Sequence, residues 1–189
     1  MVQYVRESCQ AGISPVIRAT CRKENASNPN CFGQTRGEFM DQVLSSVGDA
    51  CSQQTVYAIC GGNEPISEYD GDFTRDAEEA LACAKALDGQ NYGFDVQVVS
   101  TSLNGALGSR GETQANVENY ISTYESVGGN FNTDFDCFGI NTYANSPVGI
   151  GVTGNLDAIS SALSNKGVNL PLCITETGFA NSANSEQST

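Results

Sequence analysis

The stretch TVYAICGGNEP, residues 55–65, decides the fold. Its first part, Thr55 to Cys60, is a short and largely apolar run with β-branched and aromatic side chains, which predicts a buried strand. The Gly-Gly pair that follows predicts a turn, and Asn63 and Glu64 come directly after it. In parallel α/β proteins, functional residues concentrate at the point where a strand ends and a loop begins. The segment therefore predicts both an α/β fold and a candidate site.

Similar apolar runs occur on both sides of this stretch, and each is separated from the next by a helical pattern. Continuous apolar strands that alternate with amphipathic helices predict a parallel sheet covered by helices. The predicted strands are 13–19, 55–60, 94–100, 136–141 and 170–175, and the predicted helices are 2–11, 35–49, 72–87, 114–127 and 156–165. Two architectures fit this pattern, an open doubly wound sheet and part of a (β/α)8 barrel.

Composition excludes several classes of protein. The chain has 189 residues, 22 acidic and 9 basic, a net charge of −13 and no histidine. This balance argues against nucleic acid as a partner, and the absence of histidine removes Ser-His-Asp and Cys-His catalysis. No apolar run reaches the ~18 residues of a membrane span. We expect a single domain over residues 1–189 with a polar tail at 181–189, without a metal or other cofactor.

The cysteines indicate the compartment. Their number, eight, is even and high for a chain of this length, which predicts disulfides and a secreted or cell-wall protein. The first residues lack the features of a secretory signal, so we expect the natural N-terminus to lie upstream. Cys21 and Cys31 flank a polar loop and are a candidate pair, whereas Cys60, Cys137 and Cys173 lie in predicted strands and are expected to be buried thiols.

Two glutamates follow different predicted strands. Glu64 comes after the second strand and Glu176 comes after the fifth. A pair of carboxyl groups is what glycoside hydrolysis needs: one protonates the leaving oxygen, and the other attacks the sugar or activates water. A separation of ~5–5.5 Å indicates retention of configuration and ~6.5–9.5 Å indicates inversion. The alternative is that Glu64 begins a helix and Glu176 is a surface acid.

A cluster of acids also follows the first of these glutamates. Because the segment is too short for a calcium loop, we interpret it as an acidic helix start, which the helix dipole favours. The acids are Asp70, Asp72, Asp76, Glu78 and Glu79.

Three segments together resemble a known group of enzymes. The segment AICGGNE, residues 58–64, resembles the apolar strand and Gly-Asn-Glu motif of the retaining β-glycanase clan with barrel folds. The segment LCITETGF, residues 172–179, resembles the nucleophile strand of glycoside hydrolase family 17, the β-1,3-glucanases. The segment FGINTY, residues 138–143, is similar to a strand of that family and of the family 72 β-1,3-glucanosyltransferases. The resemblance extends over residues 13–180.

The resemblance implies a role for each matching residue. Glu64 corresponds to the acid/base at the end of the fourth barrel strand, and Glu176 to the nucleophile at the end of the seventh. Asn63 corresponds to the residue that bonds the sugar hydroxyl next to the reacting carbon.

Three further residues are implied to bind the substrate. Tyr143, at the end of the sixth strand, would donate to the nucleophile or line the sugar site; the alternative is a core aromatic at the barrel mouth. Asn141 is a further substrate-binding candidate, and the alternative is that it caps a turn. Phe179 stands where the family usually has tryptophan, and because the chain has no tryptophan only phenylalanine and tyrosine can provide an aromatic platform for a sugar.

On this alignment the five predicted strands are strands three to seven of a (β/α)8 barrel, and strands one, two and eight are absent. We therefore expect the chain to be a piece of a longer enzyme. The expected function is that of a retaining glycoside hydrolase whose substrate is β-glucan, most closely β-1,3-glucan. The alternatives are a β-1,3-glucanosyltransferase, an inactive carbohydrate-binding protein, and an open α/β domain in which the two glutamates lie far apart.

Overall fold

The computed structural model describes residues 1–19, 34–62, 73–104, 110–144 and 151–179. Within these ranges, the side chains of residues 104, 110–112, 143–144, 151–152 and 177–179 are outside the description. Asn63 and Glu64 lie outside the described residues, and so do Cys21, Cys31 and the predicted tail at 181–189.

The described residues form alternating helices and strands, as the sequence predicts. The helices are α1 Val2–Gln10, α2 Arg36–Val47, α3 Phe73–Leu87, α4 Arg110–Ser126, α5 Phe131–Asp134 and α6 Gly151–Asn165. The strands are β1 Val16–Arg18, β2 Thr55–Ile59, β3 Asp95–Val99, β4 Leu103–Asn104, β5 Phe138–Ala144 and β6 Leu172–Phe179. A short 3-10 turn, Gly48–Cys51, follows α2.

All the neighbouring strands are parallel, which confirms the predicted α/β class. One sheet has the order β1-β2-β3 and the other has the order β4-β5-β6. A parallel bridge between Val99 and Cys137 joins β3 to the start of β5, so β3 and β4 act as one interrupted strand between β2 and β5. The described strands therefore follow one another in space in the order of the chain.

This order bears on the two architectures that the sequence left open. A doubly wound sheet reverses its strand order at a switch point, and the described strands show no reversal. Because each parallel crossover is right-handed, an unreversed order places the helices on one face of the sheet. The helices do pack as neighbours in a row, α2 against α3, α3 against α4, and α4 against α6.

The two faces of the sheet have different surroundings. The outer face packs on the helices and forms the main core, which includes Tyr120, Tyr124 and Phe138. The helix predicted at 114–127 is amphipathic, since Val117 and Ile121 of α4 are buried together with the two tyrosines. The inner face holds a smaller cluster made of Tyr57, Ile59, Val99, Cys137 and Cys173.

The strand bounds differ from the predicted ones at both ends of the sheet. β1 is confined to Val16–Arg18, and Ile13, expected in the strand, is exposed. β5 and β6 extend beyond the predicted 141 and 175, because their parallel pairing continues to Ala144 and Phe179. Glu176 therefore lies within a strand and not after its end.

Six cysteines form three disulfides within the described residues, Cys9–Cys51, Cys60–Cys83 and Cys137–Cys173. The expectation that Cys60, Cys137 and Cys173 are buried thiols is therefore wrong. Strand position and apolar neighbours are the same for a buried thiol and a buried disulfide, so the pattern could not distinguish them. Disulfides persist in oxidising compartments, and these three are consistent with a secreted protein. Among the described helices, none has both the length and the apolar character needed to cross a membrane.

Candidate active site at the carboxyl ends of the strands

A bulge in β6 determines where Glu176 points. Ile140 pairs with Ile174 but Asn141 pairs with Glu176, so Thr175 is an extra residue on the β6 side. The Thr175 hydroxyl lies within hydrogen-bond distance of two acceptors on β5, the Ile140 carbonyl oxygen at 2.8 Å and Asn141 Oδ1 at 2.6 Å, and its single hydrogen is shared between them. One extra residue in a strand reverses the face on which the following side chains lie, and bulges next to active sites re-aim side chains in this way.

The bulge brings Glu176 to the inner face. Cys173 belongs to the inner cluster, so strict alternation would turn Glu176 outward, towards the helices. With Thr175 inserted, Glu176 lies beside Asn141 on the neighbouring strand. The Asn141 side chain is buried, whereas the Glu176 side chain remains 41% exposed. A carboxylate that can meet a ligand is thus placed over a buried amide.

Arg18 faces Glu176 across the inner face of the sheet. Its guanidinium Nη1 lies 3.8 Å from Glu176 Oε1, and its Nη2 donates to Ser102 Oγ at 2.8 Å. Arg18 lies opposite Ile59 on β2, and Ile59 belongs to the inner cluster, which places Arg18 on that face too. Only 15% of the Arg18 side chain is exposed.

The ion pair shows that the sheet is strongly curved. Arg18 is on β1 and Glu176 is on β6, the two outermost strands of the described order. In a flat sheet, four strand spacings would separate these strands by about 19 Å, further than the two side chains can span. Their contact requires the inner face to be concave. Glu176 and Arg18 thus lie at the carboxyl edge of a concave sheet.

The other predicted site residues are placed only in part. Asn141 pairs with Glu176 on the neighbouring strand. Tyr143 and Phe179 are in β5 and β6 by their backbone, where Tyr143 pairs with Gly178, but their side chains are outside the description. Asn63 and Glu64 follow Gly62, the last described residue of the β2 end. Because the strands are parallel, the end of β2 lies at the same edge of the sheet as Glu176.

The end of β2 rests on a buried polar cluster. The Gly62 N–H donates to Asp76 Oδ1 at 2.6 Å, and the hydroxyls of Thr101 and Tyr120 each donate to Asp76 Oδ2 at 2.7 Å. Gly61 has a φ of +106°, and a Cβ there would lie 1.8 Å from Thr101 Oγ1. Only glycine therefore fits where β2 ends.

Burial dominates the electrostatics of this cluster. Removal from water raises the pKa of Asp76, and the bonds from Thr101, Tyr120 and Gly62, together with the positive charge of Arg36, oppose that rise. The pKa of Tyr120 is raised well above its ordinary value by its own burial and by the neighbouring Asp76. Both groups are fully enclosed, so they act on the backbone around them and not on a ligand.

The sequence analysis missed Arg18, Ser102 and Asp76. Arg18 is a single cationic residue between the apolar Ile17 and Ala19. In a strand, this alternation predicts that the Arg18 side chain lies on the opposite face from its two neighbours.

Asp76 lies in the first turn of α3, as the predicted acidic helix start has it. Of the other acids in that prediction, Glu78 and Glu79 lie beyond the first turn, and Asp70 and Asp72 lie outside the described residues. Asp76 lies on the same helix face as Ala80 and Cys83, which are small or apolar. This helical spacing is the sequence feature from which the burial of Asp76 could have been predicted.

A cavity of about 280 Å³ lies at the opposite edge of the sheet. Its walls include Tyr92 and Phe94, which precede β3, and Asp134 and Asp136, which precede β5. In parallel α/β folds the catalytic groups gather at the carboxyl ends of the strands, so this cavity is not the candidate site. Within the described ranges, no three histidine, cysteine, aspartate or glutamate side chains cluster closely enough to hold a metal ion.

No protein-family model and no curated protein matches the chain.

Proposed function

We propose that this chain is a retaining glycoside hydrolase that acts on β-glucan, most closely β-1,3-glucan, outside the cell. The observation on which the proposal depends is the Thr175 bulge, which turns Glu176 onto a concave face beside Asn141 and opposite Arg18. A half-exposed carboxylate at the carboxyl edge of curved parallel strands is where a glycosidase nucleophile is expected. Three disulfides favour the extracellular location.

The same proposal includes the finer architecture. The described strands are taken as strands three to seven of a (β/α)8 barrel, with β3 and β4 together forming the fifth. Their unreversed parallel order and the curvature required by the Arg18–Glu176 contact support this assignment. In such a barrel, β2 is the fourth strand and β6 is the seventh, so the proposal assigns the acid/base role to Glu64, which follows β2 in the chain, and the nucleophile role to Glu176, which lies within β6.

The proposed reaction has two steps. Glu176 attacks the anomeric carbon and forms a glycosyl ester, while Glu64 donates its proton to the departing sugar oxygen. Glu64 then takes a proton from water, whose oxygen attacks the same carbon and releases Glu176. Arg18 holds the Glu176 carboxylate on the inner face, and the buried Asn141 amide lies beside it. If a sugar hydroxyl replaces the water, the same groups perform transglycosylation.

The test is hydrolysis of β-1,3-glucan by the purified chain and by Glu64→Gln and Glu176→Gln. Glu125→Gln is the matched control, because Glu125 is exposed on α4 and lies outside the site. We expect each site variant to lose activity by on the order of 10²-fold or more while binding of glucan persists. The first product should keep the β configuration. Binding without cleavage by the unaltered chain, or an α product, would contradict the proposal, and longer oligosaccharide products would identify a transferase.

A further inference from the structure

One face of α3 covers the end of β2. Asp76, Ala80 and Cys83 are spaced at i, i+4 and i+7, which aligns them along a single face of the helix. Cys83 is bonded to Cys60, the residue that follows β2. Asp76 accepts the hydrogen bond from the Gly62 N–H. The helix therefore holds the strand end at two points, one covalent and one through a hydrogen bond.

The residue between these points is fixed by packing. A Cβ at Gly61 would lie 3.2 Å from the Ala80 Cβ and 1.8 Å from Thr101 Oγ1, so the backbone at Gly61 is in close contact with both. Thr101 in turn donates to Asp76 at 2.7 Å. The backbone conformation of residues 60–62 is thus fixed by its contacts with the side chains of Asp76, Ala80 and Thr101.

Burying a carboxylate to accept a hydrogen bond from an N–H at a strand end costs free energy. Asp76 is completely buried, and water could satisfy the same backbone donor at the end of a strand. What a buried acceptor adds is orientation: its Oδ1 is fixed because its Oδ2 accepts bonds from Thr101 and Tyr120. Fully satisfied buried polar networks make a conformation rigid and unique in this way.

We propose that Asp76 is a positioning residue for the proposed acid/base Glu64. It fixes the Gly62 peptide, the last described residue before Glu64 in the chain. The inference depends on the proposed function, since it assigns to Asp76 an effect on the protonation step. Misplacement of a catalytic group by about 1 Å from a substitution outside the chemistry can reduce the rate about 10²-fold.

A leaving-group comparison separates positioning from stability. The value of kcat/KM reports the first step, in which a β-1,3-glucan needs protonation of its departing sugar but a dinitrophenyl β-1,3-glucoside does not. A variant that impairs Glu64 should therefore lose kcat/KM on glucan and keep it on the aryl substrate. Azide, which attacks the glycosyl ester without a general base, should restore kcat on the aryl substrate. A variant that only unfolds part of the chain loses both reactions equally.

The experiment compares Asp76→Ala, Asp76→Asn and Tyr120→Phe with Glu64→Gln in the whole chain. We expect Asp76→Ala to lose about 10-fold to 100-fold in kcat/KM on glucan, with little change on the aryl glucoside. Asp76→Asn should stay near the unaltered chain, because its amide oxygen can still accept from Gly62. Tyr120→Phe removes one of the two hydroxyls that hold Oδ2 and leaves the Gly62 bond in place, so we expect its loss on glucan to lie between those of Asp76→Asn and Asp76→Ala.

The two hypotheses fail in distinguishable ways. If Glu64→Gln does not separate the two substrates, Glu64 is not the acid/base and the proposed function is wrong. If Glu64→Gln separates them but Asp76→Ala lowers both equally, or neither, Asp76 has no positioning role. If Asp76→Ala does not fold, Asp76→Ser, whose side chain is too short to reach Gly62, gives the same comparison with the same outcomes.

Discussion

The end of β2 and the end of β6 lie at the same edge of the sheet but are held by different forces. At β2, a disulfide, a buried carboxylate and a close glycine contact fix residues 60–62 to α3 and to Thr101. At β6, strand pairing and a bulge place Glu176, whose carboxylate meets Arg18 at 3.8 Å while still 41% exposed.

The β2 end is held in one conformation by buried contacts, whereas Glu176 on β6 remains accessible to a ligand. Buried bonds lock the backbone at β2 and make that strand end costly to alter. Water screens the Arg18–Glu176 ion pair on its Glu176 side, which is 41% exposed, so the pair contributes little to folding. Glu176 can therefore be exchanged at small cost to stability but, on the proposed function, at great cost to activity. The predictions below test this contrast.

Gly61→Ala should have the largest effect on stability. Its φ of +106° is strained for alanine, and the new Cβ would lie 1.8 Å from Thr101 Oγ1. Left-handed strain and overpacking together should reduce the free energy of unfolding by about 4 kcal/mol. Gly89→Ala is the control: φ there is +69° with nothing within 4 Å of the Cβ, so the loss should be about 1 kcal/mol. Equal losses in urea unfolding would contradict the close packing of Gly61.

Removal of the Cys60–Cys83 disulfide should lower glucan hydrolysis more than removal of the Cys137–Cys173 disulfide. Cys60–Cys83 spans 23 residues and Cys137–Cys173 spans 36. The chain-entropy model gives a stability loss of about 3 kcal/mol for the first and about 4 kcal/mol for the second when both cysteines become alanine. Only the first joins a strand at its carboxyl end, so it should lower glucan hydrolysis more at a temperature where both variants are folded. A larger activity loss from the second pair would reverse the comparison.

The pH dependence of stability should report the buried carboxyl group at β2. Because the folded state raises the pKa of Asp76, its protonated form favours folding. That contribution is complete below about pH 3.9, the value for an unfolded aspartate, and is lost as the pH rises through the higher folded pKa. Relative to Asp76→Asn, the unaltered chain should therefore lose stability as the pH rises from acid to neutral. Urea unfolding at several pH values checks this, and a relative gain would mean a lowered pKa.

Glu176→Gln should have the smallest effect on stability. A half-exposed ion pair contributes about 1 kcal/mol or less, so the melting temperature should change little. A loss of several kcal/mol would mean that Glu176 is a structural residue, which would remove the contrast between the two strand ends.

Much of the fold follows from local patterns. The alternation of apolar runs with helical periodicity predicted the parallel α/β class and the buried face of α4, because burial of continuous strands requires helices over them. Thr35 and Glu38 form a capping box at the start of α2, close to the predicted helix start at residue 35. The predicted strand ends were less accurate. β5 and β6 continue past their predicted ends because they pair with each other, and this pairing depends on residues distant in sequence.

The sequence singled out Glu176 and Asn141 through the segments that contain them, but it placed Glu176 after a strand, whereas Glu176 lies within β6. The bulge that sets the two residues side by side arises from the register between two strands. Arg18 reaches Glu176 only because the sheet curves, and curvature has no local sequence pattern. The sequence predicted that Asp76 begins a helix but not that its side chain is buried. Its role as an acceptor depends on Gly62, Thr101 and Tyr120, which come from three other segments.

The most direct test is to trap the proposed glycosyl ester. A 2-fluoro β-glucoside oligomer with a dinitrophenyl leaving group should form the ester quickly and hydrolyse it slowly, since fluorine disfavours the oxocarbenium-like transition state of both steps. Mass spectrometry of the digested protein should find the added sugar on the peptide that contains Glu176, and Glu176→Gln should remain unlabelled. Label on another residue, or no label while the unaltered chain hydrolyses glucan, would contradict the account.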